Sequence, residues 1–188
     1  MPQFSKNLFY IVFVRFIGLS RNICCGTTCF CWVKRLIVKR LIIVYFSGEG
    51  TTKRMAEDIC KGAERSGVQV EVKSVENCKL DDLVEADGII VGSPTYFSNV
   101  AWQVKKLIDE SIELYRKEHA LKDKVSGCFT SAGTRRDGKD CIRLLEVTFG
   151  FHHRMKIVPG IIRASDDEEM QVSKMCQQYG EEIARQIS

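Results

Sequence analysis

Neither of the two familiar glycine signatures for nucleotide phosphates occurs in this chain: there is no G-x-x-x-x-G-K-[ST] and no G-x-G-x-x-G. A basic stripe interleaved with aromatics is also missing, so nucleic acid is not an expected partner. No clean apolar run approaches the roughly 20 residues that a membrane-spanning helix needs. The nearest candidate, LFYIVFVRFIGL at residues 8–19, is short and interrupted by Arg15, and no small-residue cleavage site follows it. The nine cysteines are odd in number, and Cys60, Cys78, Cys128, Cys141 and Cys176 are scattered. That pattern excludes a disulfide framework and reads as reduced, buried thiols of a cytoplasmic protein. No nucleophile and base stand together in a hydrolase-like pattern.

What is present divides into two parts. The formal charge of +4 is uneven, because residues 1–33 hold Lys6, Arg15 and Arg21 and no acid. Residues 1–35 form an N-terminal extension for which three readings stand open: a membrane-contacting or targeting segment involving residues 8–33, an extra strand, or a poorly ordered appendage. An upstream mis-start would require a non-standard start codon, since no Met lies between Met1 and Met55. Cys24, Cys25, Cys29 and Cys31 cluster here, but CCxxxCxC matches no usual zinc spacing, and no metal is expected. Cys29 and Arg35 have the C-x5-R spacing of a phosphatase loop. They precede a strand, where that chemistry needs a loop that follows one.

From residue 36 to 188 the chain alternates between two periodicities. Residues 41–46 (LIIVYF) form an apolar run suited to a strand buried on both faces of a parallel sheet. A helix is expected over 52–66, a strand near a sheet edge over 68–75, and a second buried strand at 88–92. A long helix after Asn99 should turn Val104, Leu107, Ile108, Ile112 and Tyr115 inward. Trp102, about 200° round from Val100, should face away from the core. Further strands are expected at 125–130 and 155–158, and a last helix capped by Ser165. Five strands with intervening helices imply an α/β, doubly wound five-stranded parallel sheet.

In such a sheet, ligands lie beyond the carboxyl ends of the central strands. The loops leaving those ends are 47–52 (SGEGTT), 93–99 (SPTYFSN) and 131–137 (SAGTRRD), all rich in small and hydroxyl residues. The first offers hydroxyls and unpaired amides at a helix start, where an anion is favoured. The second offers the flat surfaces of Tyr96 and Phe97, and the third offers close backbone approach at Gly133 and Thr134. Together they suit a flat phosphorylated heteroaromatic of the size of FMN.

On these residues the chain from about 38 onward resembles the flavodoxin-like superfamily, and within it the WrbA-type NAD(P)H:quinone oxidoreductases. GIIVGSPTYFSNVAWQVKKLID is similar to that group's second flavin loop and helix at Pro94, Thr95, Phe97, Asn99, Ala101 and Gln103. The resemblance implies an FMN site built from Ser47, Gly48, Glu49, Gly50, Thr51 and Thr52, from Pro94, Thr95, Tyr96, Phe97 and Asn99, and from Ser131, Ala132, Gly133 and Thr134. It implies a ping-pong oxidoreductase that passes electrons from NAD(P)H through FMN to a quinone-like acceptor. It also implies self-association into a dimer or tetramer. His152-His153 resembles the group's paired histidines, which gives His153 a catalytic role at the flavin; a polar strand entry is the alternative. Arg135 and Arg136 could meet a nicotinamide phosphate or form an exposed basic loop. Two departures stand out. Glu49 occupies a position where flavodoxins usually place Thr, and a carboxylate beside a phosphate is repulsive unless it points outward. The group's insertion and long loop before the last helix are missing. A single-electron carrier without NAD(P)H activity, or a flavin-free regulatory domain, are the competing functions.

Overall fold

The protein is described by a computed structural model over residues 38–187. The expected N-terminal extension and its cysteine cluster lie outside the described residues. In chain order the elements are β1 (Arg40–Tyr45), α1 (Thr51–Glu64), β2 (Gln69–Ser74), a 3-10 turn (Val75–Asn77) and α2 (Leu80–Glu85). There follow β3 (Gly88–Tyr96), β4 (Asn99–Val100), α3 (Trp102–Glu110), α4 (Ile112–Arg116), β5 (Val125–Ala132) and α5 (Arg135–Glu146). A π-helical turn (Val147–His152), β6 (Lys156–Ile157), β7 (Ile161–Ala164) and α6 (Glu169–Ile187) complete it.

The core sheet is parallel, in the order β2-β1-β3-β5, with β6 and β7 sharing the last edge beside β5. Because successive strand side chains point to opposite faces, the apolar runs feed two cores at once. Ile42, Val44, Ile89, Val91 and Cys128 pack beneath Val104, Leu107, Ile142 and Leu145. Leu41, Ile43, Ile90 and Phe129 pack beneath Met55, Ile59, Cys176 and Ile183. This is the doubly wound, five-stranded fold that the alternation of periodicities implies. Among the described residues no helix is long and apolar enough to cross a membrane. Burial raises the thiol pKa of Cys78 and Cys176 to about 12, so both stay protonated and unreactive.

Three local expectations are corrected. The last edge strand, expected at 155–158, comes in two pieces. Ser126 pairs with Ile157 and Phe129 with Ile161, so three steps along β5 meet four along the edge. One extra residue is therefore inserted as a bulge. Pro159, with no N–H, sits at the break, and the Gly160 N–H goes to Glu146 Oε1 at 2.8 Å. Tyr179 fills the gap in the ladder: its hydroxyl accepts from the Cys128 N–H at 3.0 Å and donates to the Val158 carbonyl at 3.1 Å.

The helix after Asn99 buries Val104, Leu107, Ser111 and Leu114, leaving Ile112 and Tyr115 exposed at 45% and 41%. The stripe keeps its helical spacing through a serine, and a polar residue hides that from a hydrophobicity count. Ser111 Oγ donates to the Ile108 carbonyl at 2.7 Å, which ends α3. Ser165 is not the cap of the last helix. It donates to the Gly133 carbonyl at 2.7 Å, while Asp167 Oδ2 accepts the Ala164 N–H at 2.8 Å and α6 begins at Glu169.

Candidate functional site

At the carboxyl rim the three expected loops converge on a cleft of about 210 Å³. It is lined by Ser47, Gly48, Glu49, Thr51, Thr52, Pro94, Thr95, Tyr96, Ser131, Ala132 and Gly133, joined by Arg163 and Ser165. Sites that enclose a drug-sized molecule hold about 300–1,000 Å³, so a ligand here is gripped at one end and open at the other.

The first wall is the turn from β1 into α1. Gly50 holds φ +86°, a left-handed conformation that L side chains rarely adopt, and so aims the helix start at the cleft. The first helical bond runs from the Arg54 N–H to the Gly50 carbonyl at 3.0 Å, so the amides of Thr51, Thr52 and Lys53 precede it. Ser47 Oγ is buried and without a hydrogen-bond partner among the described residues. A buried hydroxyl left unsatisfied costs about 1–3 kcal/mol, so this oxygen is ready for a partner. Thr52 Oγ1 and Ser131 Oγ are hydrogen-bonded at 2.9 Å, tying the first loop to the third.

The second wall leaves β3. Thr130 Oγ1 donates to the Ser93 carbonyl at 2.7 Å, which leaves it to accept from Thr95 Oγ1 at 2.8 Å. The Tyr96 hydroxyl lies 2.8 Å from where a Cβ on Gly48 would stand, so only glycine fits there without moving the ring. Tyr96 pairs with Asn99 across a two-residue hairpin whose centre is Phe97 (φ 50°) and Ser98 (φ 62°). Phe97 is fully exposed at the tip. Asn99 turns back on its own backbone, Oδ1 accepting the Val100 N–H at 2.8 Å.

The third wall leaves β5. Thr134 caps α5, its Oγ1 accepting the Asp137 N–H at 3.2 Å and donating to Asp137 Oδ2 at 2.8 Å. Ser98 Oγ donates to Asp137 Oδ1 at 3.0 Å, so one carboxylate clamps the second loop to the third. The Thr134 and Ser98 hydroxyls hold the Asp137 pKa below its ordinary value. At Gly133 a Cβ would meet nothing, so the backbone is open to a ligand's approach.

The structure thus brings most of the sequence-derived set to one rim. Gly50, Phe97, Asn99 and Thr134 belong to the loops without lining the cleft itself. It does not bring His153 there. His153 precedes β6, and Lys156 pairs with Val125, the first residue of β5, whereas the cleft sits at the last residues, Ser131 and Ala132. At about 3.3 Å per residue the two ends are about 20 Å apart. His153 is 2% exposed, stacked on Phe149, with Nε2 2.9 Å from Ser111 Oγ. Since Ser111 spends its only proton on Ile108, His153 must donate from Nε2. Burial and the neighbouring His119 and His152 lower its pKa. Arg135 is also spoken for, pairing with Asp167 and reaching the Ile162 carbonyl.

Sequence reading missed Arg163, Ser165 and Asp137. The first two arrive on or beside β7, which the bulge concealed. Asp137 was legible as the fourth position of T-x-x-D, a helix-start spacing related to the capping box. Trp102, 70% exposed, faces away from the core as its position on the helix required.

A wound parallel sheet whose three carboxyl-end loops converge on a small-residue cleft defines an open α/β ligand-binding domain. The chain belongs to a particular family of that class: the flavodoxin-domain profile matches residues 42–150. It is 36% identical over 164 residues to quinone-oxidoreductase QR2 of Triphysaria versicolor, covering 75% of this chain and 79% of that one. It is 39% identical over 110 residues to a flavodoxin of Clostridium saccharobutylicum, covering 57% of this chain and 64% of that one. Among solved structures, the flavodoxin, WrbA-like protein from Agrobacterium tumefaciens superposes with TM-score 0.70 at 28% identity, covering 79% of this chain and 97% of that one. A flavodoxin from the domain Archaea gives TM-score 0.66 at 30% identity, covering 79% and 98%. The fold and the WrbA-type resemblance expected from the motifs are both borne out.

Proposed function

We propose that this protein is an FMN-dependent oxidoreductase that passes electrons from NAD(P)H to a quinone or similar acceptor. The observation that carries the reading is the buried, unpartnered Ser47 hydroxyl beside the free amides at the start of α1. A phosphate monoester satisfies both, because it brings several acceptor oxygens to donors that have none. The residues present therefore fit the phosphate end of FMN. Ser47, Gly48, Gly50, Thr51 and Thr52 would hold the phosphate, and Ser131, Ala132 and Gly133 would offer open backbone to the edge of the ring. Pro94, Thr95, Tyr96 and Phe97 would border its face.

When bound, FMN supplies the two-electron redox chemistry, which the protein's own side chains cannot. The chain's part is to fix the ring's position through loops tied to β5 and the turn that follows it: Thr52 with Ser131, Thr95 with Thr130, and Ser98 with Asp137. Such cross-ties hold a site rigid at low entropic cost. His153, at the opposite rim, acts on the fold and not on the flavin. Similarity to QR2, and to a protein of Bradyrhizobium sp. named an NAD(P)H dehydrogenase (quinone), supports the donor and acceptor classes.

The test is calorimetry with FMN, followed by anaerobic addition of NADH or NADPH and then a quinone, with flavin absorbance recorded throughout. Saturable binding, bleaching by a pyridine nucleotide and recovery on adding quinone are expected. Folded protein that shows no saturation with FMN would end the proposal; binding without bleaching would leave a carrier in its place.

A further inference from the structure

We propose that Arg163 is the charge-selecting residue of the cleft, offsetting Glu49 and making the site prefer a flavin that carries a phosphate monoester over the unphosphorylated flavin. This rests on the reading of the cleft as an FMN site. Glu49 lines the cleft beside the phosphate-binding donors, where its negative charge opposes a dianion. Backbone amides and hydroxyls carry no net positive charge to compensate for it. Arg163 supplies one.

Its position follows from register. Arg163 pairs with Ser131 across β7 and β5, and in-register neighbours of a parallel pair project from the same face of the sheet. Ser131 Oγ reaches Thr52 at the start of α1, so Arg163 emerges on that same side, about one strand spacing away. It lines the cleft together with Ser47, Gly48, Glu49, Thr51 and Thr52. Two other arginines nearby are engaged: Arg54 pairs with Glu169 at 3.3 Å, and Arg135 with Asp167. Arg163 is half-buried, and its side chain has no ion pair or hydrogen bond among the described residues. A guanidinium at the wall of a cleft without a partner is set for an anion, and its planar fork matches two phosphate oxygens.

The experiment measures quenching of flavin fluorescence by the full chain, with FMN and with riboflavin as probes, at low and high salt. The proteins are the wild type, Arg163→Gln, Arg163→Lys and Glu49→Gln. Arg163→Gln is expected to weaken FMN about 10- to 100-fold, the range for losing a hydrogen-bonded charge, and to leave riboflavin within about 2-fold of wild type. Arg163→Lys should recover part of the FMN affinity, and Glu49→Gln should strengthen FMN binding while steepening its loss with salt, because the guanidinium's attraction is then unopposed. Unchanged FMN affinity in Arg163→Gln overturns the proposal, and so does equal loss for both flavins, which would mean a structural role. A wild type that binds neither flavin fails the cofactor reading itself, a result distinct from either.

Discussion

Two glycines that touch no ligand give the sharpest test of the fold that frames the cleft. Gly62 on α1 and Gly180 on α6 meet where those helices cross on one face of the sheet. A Cβ on Gly62 would lie 1.9 Å from the Gln177 carbonyl oxygen, and one on Gly180 would lie 2.0 Å from the Ile59 carbonyl oxygen. Ordinary contact begins near 3.4 Å. Either alanine therefore forces the helices apart by about 1.5 Å, the difference between 3.4 and 1.9 Å. The opposing atoms are backbone, which cannot rotate aside. Ile59, Ala63, Cys176 and Ile183 pack around this crossing with no exposed surface, and a gap of even 0.5–1 Å forfeits a quarter to a half of each contact's attraction.

Two effects of opposite sign compete. In an unconstrained helix, Gly→Ala stabilises by about 0.5–1 kcal/mol. Overpacking typically costs about 1–3 kcal/mol, and backbone overlap of this depth belongs at the upper end. Gly62→Ala and Gly180→Ala should each lose about 2 kcal/mol net. The double variant should lose clearly less than the sum, because one separation of the helices relieves both clashes. Urea unfolding of the wild type, both single variants and the double variant, read as midpoint and slope, decides it. A gain in stability for either single variant, or simple additivity, would refute the crossing geometry.

The remaining predictions concern the bulged edge and the buried histidine. Tyr179→Phe leaves the Cys128 N–H and the Val158 carbonyl without their bridging hydroxyl, and should cost about 1–3 kcal/mol in urea unfolding; a change below about 0.5 kcal/mol would show that the hydroxyl does not close the bulge. For His153 the folded pKa lies below its ordinary value of 6.5. The unfolded chain therefore binds the extra proton first, and this contribution is whole above pH 6.5 and lost as the pH falls from 6.5 through the folded pKa. Wild-type urea midpoints should drop more steeply than those of His153→Gln below that pH, and parallel profiles would count against a neutral buried imidazole.

The readings that succeeded rest on local chemistry. A run such as LIIVY needs no partner to announce a strand buried on both faces, and SGEGTT or SAGT announces a turn into a helix start. Two of the misses depend on something distant. The bulge at 158–160 exists only relative to β5, so Arg163 could not be placed beside Ser131 by inspecting its own neighbours. Ser111 joins a buried stripe because His153, 42 positions away, shares its hydroxyl. The place of His153 was legible from topology alone. A residue that enters a parallel strand lies at the amino rim, and the loops that hold the cleft all leave from the carboxyl rim.

Phe97 shows how the same logic runs from strain to use. A non-glycine residue in the left-handed region costs about 1–2 kcal/mol, and Phe97 and Ser98 occupy it in succession. A plain connector at a two-residue hairpin is met by Asn-Gly, which adopts that conformation readily. Here the turn is held by the pairing of Tyr96 with Asn99 and by the Ser98 hydroxyl on Asp137, which is itself fixed by Thr134. Ser98 thus has a bonding reason for its place, and Phe97 has none among the described residues, where its ring is fully exposed. An apolar ring held outward against its own backbone preference, beside a cleft whose floor is already polar, offers the surface that the flat ligand of the proposed function would cover. Strain of this kind collects at ligand clamps, and its presence at the second loop argues that the loop was shaped by what it holds rather than by the strands it joins.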